Sequence, residues 1–160
     1  MKLLKPLGIS ALILAVGVSI YVQFLSKEPL PEQLVLASLS GQPASFSDVK
    51  GDLLIVNFWA TWCPPCVREM PLLQDYAMKE GVSVVLINQG ETVPAINQFL
   101  STNQLYFQHL WLDPRQEALH HMNVRGLPTT LFYSREGYLL ASHLGELSEK
   151  DLQLLLSKHL

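Results

Sequence analysis

Apolar residues along this chain fall into two kinds of run. Residues 53–61 are apolar except for Asn57 and Thr61, and residues 82–88 except for Ser83 and Asn88. Near-continuous runs of this length, rich in Val and Ile, predict buried strands, as in a parallel sheet. Residues 129–133, β-branched and aromatic apart from Leu131, predict a further strand, with Pro128 at its entry, where proline is allowed. A turn over 134–137 and a partner strand over 138–143 complete a hairpin. Residues 34–36, 44–46 and 106–112 give weaker strand signals. The second kind of run is helical. Residues 64–79 place Met70, Leu73 and Ala77 on one face and end at Gly81. Pro64 and Pro65 fall in the first turn, where no N–H bond is lost, whereas Pro71 lies inside the pattern and predicts a kink. Thr92 predicts the cap of a helix running through Leu100. Asp113 and Pro114 predict the start of a helix through about Met122. Ser148, with Asp151 three residues on, predicts a capped last helix with Leu152, Leu155 and Leu156 on one face. Strands alternating with helices at this spacing predict a parallel α/β core.

The N-terminus follows neither pattern. Lys2 and Lys5 precede residues 7–25, which carry no charge. Nineteen helical residues span about 28 Å, close to the hydrocarbon core of a bilayer. The positive flank predicts that the body faces away from the cytoplasm. A cleavable signal peptide is the competing reading, with Gly17 and Ser19 as small residues near a cleavage site. The apolar run continues past them through Leu25, which favours a retained anchor over residues 1–25. Lys27, Glu28, Pro29 and Pro31 then predict a short, stiff tether over 26–32. The globular domain is expected over 33–160.

Composition changes this picture in two ways. A net charge of −3 gives no electrostatic footprint for nucleic acid. Two cysteines in 160 residues do not make a disulfide framework.

Those two cysteines, Cys63 and Cys66, lie together where the 53–61 strand meets the helix beginning at 64. At that seam Cys63 faces the unpaired N–H groups of the helix start, which favour a thiolate over a thiol. The i, i+3 spacing returns Cys66 beneath Cys63 on one turn. A disulfide between them closes a small ring that another thiolate can reopen. Half a zinc site is the alternative use of such a pair, but a structural site needs four ligands. His109, His120, His121, His143 and His159 show no pair spacing, so no metal is expected. A purely structural disulfide closing so small a loop adds little. Reversible dithiol chemistry is the reading that remains, and it calls for no cofactor.

The stretch Val56-Asn57-Phe58-Trp59-Ala60-Thr61-Trp62-Cys63-Pro64-Pro65-Cys66, then Glu69-Met70-Pro71, and later Gly126-Leu127-Pro128-Thr129-Thr130, resembles the membrane-anchored thioredoxin-like proteins of the TlpA/ResA type. The resemblance covers roughly residues 34–159. It implies a thioredoxin fold, a central mixed sheet flanked by helices. It also implies a strand and helix inserted between the dithiol helix and the proline loop, for which residues 89–112 leave room. It further implies a cis Leu127–Pro128 bond packed against the dithiol, with the backbone at Leu127 pairing with the substrate chain. Trp62 is expected at the surface beside the dithiol, in contact with substrate. Arg68 is expected as a solvated helix residue, and His120 and His121 as the exposed end of a helix.

One departure from cytosolic thioredoxins bears on the chemistry. They place a buried aspartate six residues before the first cysteine, where this chain has Asn57, which cannot take a proton. ResA-like proteins carry a glutamate three residues after the second cysteine, and Glu69 matches it. A carboxylate there, its pKa raised by burial, suits it to accept the proton of Cys66. The resemblance implies an extracytoplasmic protein-disulfide reductase. It implies a CcdA- or DsbD-like membrane thiol transporter as electron donor, and apocytochrome c or a copper-delivery protein as acceptor. The alternative is a non-catalytic thioredoxin-fold module, chaperone-like or copper-handling. Copper-handling relatives space their cysteines differently and add a histidine, a pattern absent here.

Overall fold

The computed structural model describes residues 29–159, together with Ile13, Val16 and Gly17. The anchor expected over 1–25 otherwise lies outside the described residues. No helix among the described residues is long and apolar enough to cross a membrane.

The order of elements is β1 (Val35–Ser38), β2 (Pro43–Ser45), a 3-10 turn (Phe46–Asp48), β3 (Leu53–Trp59), α1 (Pro64–Ala77), β4 (Val82–Asn88), α2 (Val93–Asn103), β5 (His109–Leu112), α3 (Glu117–His121), β6 (Thr129–Ser134), β7 (Leu139–Leu144) and α4 (Glu149–His159). Among the described residues the strands form one sheet in the order β2-β1-β5-β4-β3-β6-β7. β3, β4 and β5 run parallel. β6 lies antiparallel to β3, and β7 to β6. The mixed sheet implied by the resemblance is present, and residues 89–112 hold the additional helix and strand, α2 and β5.

Strand alternation sorts the core into two layers. Leu53, Ile55 and Trp59 of β3 join Met70, Leu73, Ile96 and Leu152 from α1, α2 and α4. Leu54, Val56 and Phe58 point the other way, to Phe46, Trp111, Ala118 and Met122. Because both faces are covered, β3 is buried along its whole length. Asn57 is in register with Ile55 and Trp59, so its amide faces the α1 layer. Pairing of Asn57 with Thr130 and of Phe58 with Thr129 sets Pro128 beside the end of β3 that leads into Cys63.

One helix start differs from the sequence pattern. α3 begins at Glu117 rather than Pro114. The buried Asp113 carboxylate takes the N–H groups of Glu117 (2.7 Å) and Leu119 (3.0 Å), and Gln116 adopts a left-handed φ of 59° between them. The side chain therefore caps a later turn than the proline marks. Thr92 stands at the N-cap of α2 but makes no side-chain capping bond. The last helix starts as its pattern predicts, with Asp151 N–H donating to Ser148 Oγ at 3.2 Å and Ser148 N–H to Asp151 Oδ2 at 3.2 Å. At the other end of the domain, Leu30 N–H donates to Gly137 at 2.8 Å and Pro29 bridges to Tyr138, so residues 29 and 30 lie on the β6–β7 turn.

Candidate active site

Cys63 is the N-cap of α1, with extended backbone (φ −99°, ψ 100°). An α-helix leaves its first N–H groups without intrahelical partners. Here Pro64 and Pro65 carry none, so the first free amide belongs to Cys66, and it donates to Cys63 Sγ at 3.3 Å. Helix dipole and amide thus converge on one sulfur. Cys63 and Cys66 are joined as a disulfide with S–S 2.04 Å. Cys66 is fully enclosed and Cys63 nearly so. Trp62 beside them is 67% exposed, a broad apolar face at the rim of the site.

The approach to Cys63 is fixed by a carboxylate. Glu91 Oε2 accepts from Thr61 N–H at 2.7 Å and from Asn88 Nδ2 at 2.7 Å, and Glu91 Oε1 accepts from the Thr61 hydroxyl. This ties the β3–α1 loop to the end of β4. Its members come from two segments 27 to 30 residues apart, the β3–α1 loop and the end of β4, and no spacing in the sequence marks them.

Glu69 is 2% exposed. It lies on α1 three residues beyond Cys66, a spacing that keeps both on one face. Its Oε1 accepts from Asn57 Nδ2 at 2.7 Å, and its Oε2 from the Leu147 backbone N–H at 2.6 Å. The same Asn57 nitrogen donates to Thr130 Oγ1 at 2.9 Å, while Asn57 Oδ1 has no partner. Burial raises the Glu69 pKa from its ordinary 4.5 to about 7; the bonds from Leu147 and Asn57 hold it from rising further. A carboxyl group balanced there exchanges a proton readily near neutral pH. Asn57, which cannot itself ionise, serves as the donor that steadies this acid.

The proline loop closes the same end of the sheet. The Leu127–Pro128 bond is cis. Thr129 Oγ donates to the Gly126 carbonyl at 2.7 Å, and Gly145 N–H donates to the Pro128 carbonyl at 2.9 Å. Leu127 packs against the layer that holds both cysteines, and Pro128 is buried. Cys63, Cys66, Glu69, Trp62, Leu127 and Pro128 therefore all lie at one end of the sheet. Arg68 is not simply solvated. Its Nε and Nη2 donate to Glu146 Oε2 at 2.9 and 2.6 Å, and this bond holds the Glu146 carboxyl below its ordinary pKa. His120 and His121 are exposed at the end of α3, as expected. Among the described residues no cluster of His, Cys, Asp or Glu could hold a metal ion.

Comparison with known proteins agrees with this geometry. The Redoxin family model matches residues 25–156. Thiol-disulfide oxidoreductase ResA of Bacillus subtilis (strain 168) is 33% identical over 147 residues, covering 86% of this chain and 82% of its own. ResA of Geobacillus kaustophilus (strain HTA426) is 30% identical over 151 residues, covering 89% and 86%. A solved secreted Mycobacterium tuberculosis disulfide oxidoreductase, homologous to E. coli DsbE, superposes with a TM-score of 0.68 at 26% identity, covering 79% of this chain and 96% of that one. The chain belongs to the Redoxin family and is a thioredoxin-fold thiol-disulfide oxidoreductase of the TlpA/ResA type.

Proposed function

We propose that this oxidoreductase works as a protein-disulfide reductase outside the cytoplasm, held at the membrane by residues 1–25. The observation that carries the chemistry is the Cys63–Cys66 disulfide at the start of α1, with a buried carboxyl on the same helical face. In the reduced enzyme the Cys63 thiolate attacks one sulfur of a substrate disulfide. A mixed disulfide forms and the other substrate sulfur leaves as a thiolate. Cys66 then passes its proton to the Glu69 carboxylate and attacks Cys63 Sγ. The enzyme disulfide forms, the mixed disulfide breaks, and the substrate departs with both sulfurs reduced. Two electrons have moved from enzyme to substrate, leaving the enzyme in the oxidised form described here.

Trp62 and the backbone at Leu127 flank the sulfurs and receive the substrate chain. A membrane thiol transporter of the CcdA or DsbD kind returns the enzyme to its dithiol form. Apocytochrome c or a copper-delivery protein is the acceptor. The uncharged run over residues 7–25, with lysines before it, supports the location, and the resemblance to ResA supports the partners.

Trapping tests the reading. Cys66→Ser in cells should accumulate mixed disulfides through Cys63, visible on non-reducing gels and identifiable by mass spectrometry. A captured cytochrome c precursor or copper protein supports the substrate class. Capture of cytoplasmic proteins alone would refute the location, and no capture would refute the resolving role of Cys66.

A further inference from the structure

We propose that the turn Gly145-Glu146-Leu147 is a positioning element of the exchange site, setting the Glu69 carboxylate and the proline loop in one frame, with the Arg68–Glu146 ion pair as its clasp. This rests on the reading of Glu69 as the proton acceptor.

Three consecutive residues each hold a different part of the site. Gly145 N–H donates to the Pro128 carbonyl at 2.9 Å. Leu147 N–H donates to Glu69 Oε2 at 2.6 Å. Between them, Glu146 Oε2 accepts two bonds from Arg68, the residue just before Glu69 on α1. The turn is held from its other side as well, because the Glu146 carbonyl lies 3.1 Å from His143 Nε2 of β7. Leu147 is buried in the layer that includes Cys63, Cys66 and Met70. Gly145 sits at φ +102°, a backbone shape that side chains rarely adopt. The clasp itself is exposed, so it contributes little to stability. Its effect is local: it fixes the distance between a backbone donor and a buried carboxylate.

The groups acting on Glu69 are Asn57 from β3, His143 from β7, and Glu146 and the Leu147 amide from the turn; Cys66 lies one turn back on its own helix, and the Arg68 guanidinium is turned to Glu146. Arg68→Glu sets two like charges against each other at the clasp. The turn moves off, the Leu147 bond to Glu69 weakens, and an anion remains close by. Both changes make Glu69 hold its proton more tightly. The double variant Arg68→Glu/Glu146→Arg restores the attraction with its polarity reversed and keeps the wild-type net charge.

The test is a carbon-13 titration of glutamate carboxyls in the oxidised full-length protein, where neither cysteine titrates. Glu69→Gln assigns the resonance. In Arg68→Glu the Glu69 midpoint should rise by about half a pH unit or more, roughly threefold in proton affinity. The Gly145 amide should exchange faster with solvent. The double variant should return both values to wild type. If Glu69→Gln removes a resonance titrating near neutrality but Arg68→Glu leaves it in place, the turn has no positioning role and the reading of Glu69 stands. If the double variant stays as displaced as the single one, the clasp is refuted. If no near-neutral resonance disappears in Glu69→Gln, the reading of Glu69 falls and this inference falls with it.

Discussion

Replacing Glu69 by glutamine separates the cost of burying this carboxyl from its use. In the folded protein its pKa stands at about 7, against 4.5 for an ordinary glutamate. A raised folded pKa stabilises most at low pH, where both states are protonated. The contribution is lost as pH rises from the unfolded value through the folded one. Between pH 5 and pH 8 this group should cost the wild-type protein about 2–3 kcal/mol, from about 1.4 kcal/mol per unit of pKa difference. Glutamine does not titrate, and its amide fits the site. Its oxygen accepts from Leu147 N–H, and its nitrogen donates to Asn57 Oδ1, now without a partner, once the Asn57 amide turns over. The assay is urea denaturation of both oxidised proteins at pH 5 and pH 8. The difference between wild type and Glu69→Gln cancels every other titrating group. Wild type should lose about 2–3 kcal/mol more than the variant across that window. Two proteins that lose the same amount, within about 0.5 kcal/mol, would show that Glu69 is not a buried titrating acid. The variant should also lose the near-neutral ionisation from the pH profile of the resolving step. That step should slow by about tenfold to a hundredfold at pH 8, near the lower end of the usual effect of a positioned base.

Other perturbations test other parts of the site. Asn57→Ala leaves Glu69 Oε1 and Thr130 Oγ1 without their donor; the Glu69 midpoint should move above 7 and unfolding should cost about 1–3 kcal/mol less, by titration and denaturation. Trp62→Ala should raise KM for a protein substrate by about threefold to tenfold and leave kcat and Tm unchanged, since the ring is exposed and packs on no core; a changed Tm would contradict its placement at the rim. Gly145→Ala meets no neighbouring atom, so its penalty is backbone strain alone, about 1–2 kcal/mol by denaturation. An unchanged stability there would show that the turn readily takes another shape.

The strands were legible because their residues say one thing at every level. β4 is found where its apolar run begins and ends, and β3 needs only its last two residues trimmed. The dithiol was legible because both its members lie within four residues of a strand–helix seam. Contacts made by backbone groups from distant turns were not. The Leu147 N–H that grips Glu69 and the Glu146 that grips Arg68 each lie 78 residues from their partners. Hydrophobic period carries no record of such pairs. Asn57 was half legible: its register places it on the α1 face, but only the paired strands show Thr130 across from it. At α3, proline marked a start that the Asp113 side chain overrides by capping a later turn.

Exchange at this site depends on a Cys63 sulfur made anionic at the head of α1. Alkylation of the reduced protein with iodoacetamide across pH 4–9, with each product mapped to its cysteine, measures this directly. Cys63 should react first, with a midpoint well below the ordinary thiol value of about 8.5, while Cys66 stays protected until the chain unfolds. Equal labelling of the two cysteines, or a Cys63 midpoint at the ordinary value, would contradict it.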